Sequence, residues 1–238
     1  MINQFGWRKR SANVRVELVL IGIMLAPTPA TAGAWLREKG TGFVSVQTNL
    51  RRDALGTALE TDSYGDYGLT PNLSLGFSIF SSGRQAGNAT VFLRFPLGDQ
   101  GAENKWSVET GIGAWWAPDM VNGLAKLTVS YGRNLAWGEA NGWLSVENTV
   151  EKRLEISSMI WKLDATVGQS TGRGGHAPVI RPMVKLNTTK IIGQPLIWSV
   201  SANMLIDSKN GTTWLVGIER KQLREPSYAL TVGLWRRF

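Results

Sequence analysis

The stretch "YALTVGLWRRF" (Tyr228–Phe238) decides the fold. Tyr228, Leu230, Val232, Leu234 and Phe238 fall on one face of an extended chain, while Ala229, Thr231, Gly233, Trp235 and Arg237 fall on the other. This is a strand with one apolar face and one mostly small or polar face. A soluble sandwich buries such an apolar face against a second sheet, whereas a membrane barrel turns it outward to lipid. The alternation alone does not separate the two.

The beginning of the chain arbitrates. Arg8, Lys9, Arg10 and Arg15 precede "LVLIGIMLA" (Leu18–Ala26), and small residues follow at Ala30, Ala32 and Ala34. A basic region, a short apolar run and small residues at alternate positions make the layout of a secretory signal peptide. The apolar run is about half the roughly 20 residues a membrane-spanning helix needs. Residues 1–32 therefore read as a signal peptide, with cleavage after Ala32 or Ala34, and residues 33–238 as a single domain. Beyond the signal no run of roughly 18 apolar residues occurs, so membrane attachment has to come from the fold. The absence of cysteine excludes disulfides, thiolate metal sites and thiol catalysis.

With 27 Gly, 11 Trp and 9 Pro in 238 residues, the chain suits many short strands joined by tight turns. Twelve alternating segments are predicted, at 42–50, 59–68, 73–81, 89–97, 106–116, 124–137, 142–153, 159–168, 179–188, 196–206, 213–221 and 227–238. Their apolar faces include Val44, Val46 and Leu50, then Leu75, Phe77 and Ile79, then Val91, Leu93 and Phe95, and later Leu127, Val129, Trp161, Leu163, Val200 and Met204. The opposite faces carry Glu60, Asp62, Asp66, Arg94, Glu109, Lys126, Glu147, Glu151, Lys162, Asp164, Arg181, Lys185, Glu219 and Lys221. Trp106, Trp116, Trp137, Trp143 and Trp214 fall near strand limits, where an indole suits the headgroup level of a bilayer. Export signal, even strand count, aromatic strand ends and an aromatic terminal strand together predict an all-β protein. Its form is a closed antiparallel up-and-down transmembrane barrel of about twelve strands, with the polar faces inward.

The last strand resembles the C-terminal signal of Gram-negative outer-membrane β-barrels, with Tyr228, Leu230, Val232, Leu234 and Phe238 matching its pattern. Arg236 departs from it, since that family carries an aromatic or apolar residue there. "GAWLREKGTGFVSV" (33–46) and "YGDYGLTPNLSLGF" (64–77) resemble openings of uncharacterised proteobacterial outer-membrane proteins. The resemblance implies recognition by the barrel-assembly machinery and residence in the outer membrane among lipid and lipopolysaccharide. It names no substrate.

An even strand count leaves both strand termini on the periplasmic side, and none of the proposed outer loops is long, which argues against a large plug or lid. Acid–base catalysis by a lipid-modifying barrel needs an imidazole, and the chain has one histidine, His176, in the glycine-rich turn "STGRGGHAP". One histidine does not make a histidine-rich metal site, and Glu60 with Asp62 read as partners of lumen cations rather than a calcium site. No cofactor is expected. The formal charge is +8, and residues 33–238 keep 22 basic against 17 acidic residues, or +5. No basic run with interleaved aromatics suggests a nucleic-acid groove. Arg51, Arg52, Arg84, Arg133, Arg153, Arg220 and Arg224, near the rims, suit either lipopolysaccharide phosphates or ordinary solvated charge.

Function rests on the lumen-lining set Arg94, Glu109, Lys126, Glu147, Glu151, Lys162, Asp164, Arg181, Lys185 and Glu219. Pairing throughout would bridge the interior shut and leave a structural or anchoring barrel. Separation of the two signs would leave a path for water and a small solute. About twelve strands allow a narrow path at most. A narrow channel or small-solute transporter is the leading expectation, with a non-conducting scaffold and a lipid-modifying enzyme as alternatives. Lys126, Lys162, Arg181 and Lys185 would give the channel a weak anion preference.

Overall fold

The computed structural model describes residues 33–54, 56–83, 86–137, 140–155, 159–170, 179–208 and 210–238. Twelve strands follow one another as β1 (Gly42–Asp53), β2 (Gly56–Thr70), β3 (Leu73–Ser82), β4 (Ala86–Pro96), β5 (Asn104–Ala117) and β6 (Met120–Trp137), then β7 (Ala140–Arg153), β8 (Met159–Gln169), β9 (Val179–Ile191), β10 (Ile197–Asp207), β11 (Thr212–Gln222) and β12 (Pro226–Arg237). Each pairs antiparallel with its sequence neighbours, and β1 pairs with β12 to close the barrel. The alternation read from the sequence matches these strands, which run several residues further at some turns. "APDMVNG" is one such case: Asp119 takes φ 63° and closes a two-residue turn, so Met120–Asn122 join β6 instead of a loop. A short polar side chain tolerates that left-handed backbone better than most.

The seam is in register from Phe43↔Arg237 to Arg52↔Tyr228. At one edge the Gly42 and Phe238 backbones exchange hydrogen bonds of 2.7 and 3.0 Å. Inside, Thr231 Oγ1 donates to Asn49 Oδ1 at 2.7 Å. Arg51 on β1 reaches Glu60 on β2 at 2.8 Å, Ser227 on β12 at 3.2 Å, and Glu219 on β11. Closure thus has backbone bonds on the wall and a charged clamp in the lumen. It removes the unpaired edge that hydrocarbon cannot solvate.

Side chains sort inside out. Val46, Phe77, Val91, Ile112, Leu127, Leu163, Val200, Val216 and Leu230 lie exposed on the outer wall, and the exposure persists from strand to strand. So continuous an apolar belt is far larger than the isolated patches of soluble proteins, and it is the lipid-facing surface of a transmembrane barrel. Tyr228, Leu230, Val232 and Phe238 share that surface, with Leu234 half-buried on the same face. Trp106, Trp137 and Trp214 are also exposed there, but Trp143 is 1% exposed and points inward. The headgroup-level expectation for Trp143 is corrected by parity: Leu144 and Val146 hold the outer face of β7, which sends Trp143 into the lumen.

The two ends of the barrel differ. At the far end, where β1 finishes and β12 starts, the connections are two to five residues long. At the near end, where β1 starts and β12 finishes, the longest connection is the nine residues between β8 and β9. No far-end loop is long enough to fold over the lumen.

The face assignment has a direct check on β1, where Val46 faces out and Gln47 lines the lumen opposite Asp62. Val46→Arg should lower refolding stability in lipid vesicles by about 2–4 kcal/mol. Gln47→Arg, which gains a carboxylate neighbour, should cost less than half as much in the same urea titration. Equal losses at the two sites would contradict the inside-out arrangement.

Candidate functional site

The lumen is built in three levels. The near end is floored by Gly33–Gly40, which precede β1 and turn back into the barrel. Ala34 and Trp35 are buried against Trp143, Met183, Leu205 and Leu215, with Trp235 packed alongside. Trp35 fits because β6 carries Gly132 beneath it, where a Cβ would come within 2.5 Å of the indole. Arg37 anchors the other side of this segment, its Nε 2.8 Å from Asp66 Oδ1 on β2 and its guanidinium 4.8 Å from the Phe43 ring. Lys39 pairs with Gly68 as an isolated bridge.

From Asp66 a chain of alternating charge crosses the wall. Arg94 on β4 meets Asp66 at 3.1 Å and Glu109 on β5 at 2.6 Å, and it donates to the Tyr64 hydroxyl at 2.9 Å. Lys126 on β6 closes on Glu109 at 2.9 Å. The Phe92 ring lies 5.2 Å from the Arg94 guanidinium and 4.8 Å from Lys126 Nζ. Arg37, Asp66, Arg94, Glu109 and Lys126 thus tie the floor segment to four strands. A buried charge whose partner is removed costs roughly 3–5 kcal/mol, so the chain holds as a unit.

Other charges pair locally. Glu151 bonds Lys162 at 2.7 Å and Arg153 at 3.5 Å, with Arg153 4.1 Å over Trp115. Arg181 makes a two-pronged bond to Asp207 at 2.8 and 2.7 Å, and Thr213 donates to the same carboxylate at 2.6 Å. Arg181 therefore belongs to the near-end rim and is absent from the wall of the main cavity. The other nine residues singled out from the sequence, Arg94, Glu109, Lys126, Glu147, Glu151, Lys162, Asp164, Lys185 and Glu219, all line that cavity.

The cavity, about 610 Å³, lies above the floor, and a smaller space of about 160 Å³ adjoins it beside Arg51, Glu60 and Lys221. Its neutral wall mixes the rings of Phe43, Tyr64, Phe80, Trp143 and Trp235 with hydroxyls and amides: Ser78 with Thr90 at 2.8 Å, Thr128 with Thr149 at 2.7 Å, and Asn187 donating to Ser199 at 3.2 Å. Among the described residues, Asp62, Glu147 and Asp164 close no ion pair. Lys185 faces Asp62, Asp164, Glu147 and Glu219 without bonding any of them. Lys126, Lys162 and Arg181 are each committed to a carboxylate, which removes the basis for an anion preference. The surplus in the cavity is negative.

Some of this was invisible in the sequence. The floor segment has no periodicity, and only its packing against Trp143 and Gly132 reveals it. His176 lies within 171–178, outside the described residues, as do the expected cleavage region up to Ala32 and the rim residue Arg84. Among the described residues no group of three or more His, Cys, Asp or Glu is placed to hold a metal ion. On the outer wall near the far end, Arg52 and Arg220 flank Tyr228 across the β1–β12–β11 ladder, with Arg220 5.3 Å from the Trp198 ring.

Neither a family model nor a curated protein matches the chain. Solved barrels do. The NanC porin superposes with a TM-score of 0.55 at 9% identity, covering 80% of this chain and 98% of its own. The KdgM porin, solved with disordered oligogalacturonate, gives 0.53 at 8%, covering 82% and 99%. An outer membrane channel from Pseudomonas putida F1 gives 0.52 at 12%, covering 87% and 99%. At these identities the likeness is one of fold: the chain shares the architecture of outer-membrane channel barrels.

Proposed function

We propose that the protein sits in the outer membrane of a Gram-negative cell, near end toward the periplasm, and that its lumen is a narrow, floored passage for small polar solutes that prefers cations. The observation that carries this reading is the 610 Å³ cavity inside the barrel, lined by hydroxyls, amides and aromatic rings and bearing Asp62 and Asp164, which close no ion pair among the described residues. A sealed scaffold has no reason to leave carboxylates uncompensated in a low-dielectric wall, because each costs free energy there. A passage does, since an unpaired carboxylate lowers the energy of a passing cation. The channel and porin neighbours agree with this reading at the level of fold. The barrel-assembly machinery would read the Tyr228–Phe238 strand, and outer-leaflet phosphates suit Arg52 and Arg220, which stand beside aromatic rings at the far end.

Location is tested by fractionation and heating. The mature protein should partition with outer membranes and keep a fast-migrating folded form in detergent until boiled. Recovery in the soluble periplasmic fraction without a heat-dependent gel shift would remove the membrane assignment.

Passage is tested in planar bilayers. The wild type should show a small conductance with a reversal potential shifted toward cations. Asp62→Asn with Asp164→Asn should erase that shift, and Arg37→Ala with Trp35→Ala should enlarge the conductance by loosening the floor. Heat-modifiable, correctly folded variants with no conductance in any case would leave the structural barrel as the function.

A further inference from the structure

Glu147 on β7 stands directly opposite Asp164 on β8 in the strand register. Two like charges in cross-strand contact destabilise a sheet unless a cation sits with them. The charged groups that act on Glu147 include Arg94, Lys126, Lys185, Glu109 and Asp164. Arg94 and Lys126 are already bonded to Glu109, and Lys162, near Asp164, is bonded to Glu151. Lys185 faces Asp62, Asp164, Glu147 and Glu219 alike and bonds none of them, so among the described residues Glu147 has no bonded cation and one shared lysine is left for three unpaired carboxylates.

Gly33 occupies the place beside Glu147. A Cβ on Gly33 would collide with the Glu147 carboxylate, and it would lie 2.9 Å from Ser130 Oγ. Ser130 is 1% exposed, and its hydroxyl has no hydrogen-bond partner. Gly33 also has φ 44°, so side-chain volume and backbone both demand glycine. Its carbonyl is held by Ser107 Oγ at 2.9 Å. The α-nitrogen is one bond, about 1.46 Å, from the Cα so placed. In the sequence, Gly33 directly follows Ala30-Thr31-Ala32, a small-x-small pattern of the kind at which signal peptides are cut.

We infer that cleavage between Ala32 and Gly33 supplies a bonded cation: the new α-ammonium of Gly33 pairs with Glu147, takes Ser130 Oγ as a further acceptor, and locks residues 33–40 as the floor of the lumen. Hydrolysis of the Ala32–Gly33 peptide bond consumes one water and yields a carboxylate on the leaving peptide and an ammonium on Gly33. An amide nitrogen becomes a cation where two carboxylates face each other. Cleavage after Ala34 would not do this. It would remove Gly33 and the fully buried Ala34, leaving the Ser107 hydroxyl without its acceptor and Glu147 uncompensated. Removal of the leader then adds the ion pair that fixes a floor already seated by Trp35 and Arg37.

The inference rests on export and is independent of conduction. Its test uses the full-length protein expressed with its leader and purified from membranes. N-terminal sequencing should read Gly-Ala-Trp-Leu. The α-amine should then be acylated by a water-soluble ester at neutral pH at least about tenfold more slowly in the folded protein than after boiling, because ion pairing keeps it protonated. Glu147→Gln removes the carboxylate at nearly constant volume and relieves the clash of charge with Asp164. It should fold, by the heat-shift criterion, and restore fast acylation. Ser107→Ala, which loosens the floor without touching the ion pair, should change the rate much less. A chain that starts at Met1 would show that export fails. A start at Trp35, or a Gly33 amine equally reactive in the wild type and in Glu147→Gln, would overturn the lock while leaving the barrel and its conductance untouched.

Discussion

Everything in this structure follows from the closure of β1 on β12. In hydrocarbon an unpaired peptide group costs several kcal/mol, so a sheet that spans a membrane has to end on itself. Ten residue pairs from Phe43↔Arg237 to Arg52↔Tyr228 satisfy the seam, and the Arg51 clamp to Glu60, Glu219 and Ser227 ties β1, β2, β11 and β12 together from within. Once closed, the ring has no second sheet against which to bury its apolar face. Lipid takes that role, and the polar alternates are forced into a lumen of fixed width.

That inversion makes the interior an electrostatic problem. Charges that would be solvated on a soluble protein are packed against one another, and each has to find a partner across a strand boundary. The chain from Arg37 through Asp66, Arg94 and Glu109 to Lys126 solves it by alternation, and the Phe92 ring between two of the cations adds a favourable face. Asp62, Glu147, Asp164 and Lys185 do not follow this pattern. Places where otherwise consistent packing breaks a local rule are where function is to be sought, and here they share one cavity.

The strands were legible because alternation is a local property: each of Val91, Leu93 and Phe95 declares its face by its distance from its neighbours. Closure was legible from Phe43–Leu50 and the terminal strand for the same reason. Partners were not. That Lys126 meets Glu109, or that Arg181 leaves the cavity for Asp207, depends on the register of neighbouring strands and the diagonal reach of long side chains, which alternation does not fix. Trp143 was misplaced because an aromatic near a strand end suggests an interface on composition, although its parity with Ser145 and Glu147 already pointed inward. The floor segment carried no period at all. Trp35 and Arg37 stood only within the opening stretch 33–46, and it is Gly132 and Asp66 that supply their sockets.

The asymmetry between the ends decides how such a lumen is controlled. Outer-membrane barrels commonly restrict access with long outer loops, yet the far-end connections here are two to five residues. The barrier lies instead at the near end, in a segment held by the Trp35 indole among apolar side chains, by Arg37 on Asp66 and by Ser107 on the Gly33 carbonyl. Burial of the indole contributes roughly 1.5–3 kcal/mol, and breaking the buried Arg37–Asp66 pair would leave an uncompensated charge at a cost of roughly 3–5 kcal/mol. The seam and wall are held by a continuous backbone ladder, whereas the floor is held mainly by side chains, so the floor is the part whose loss would leave the ring intact.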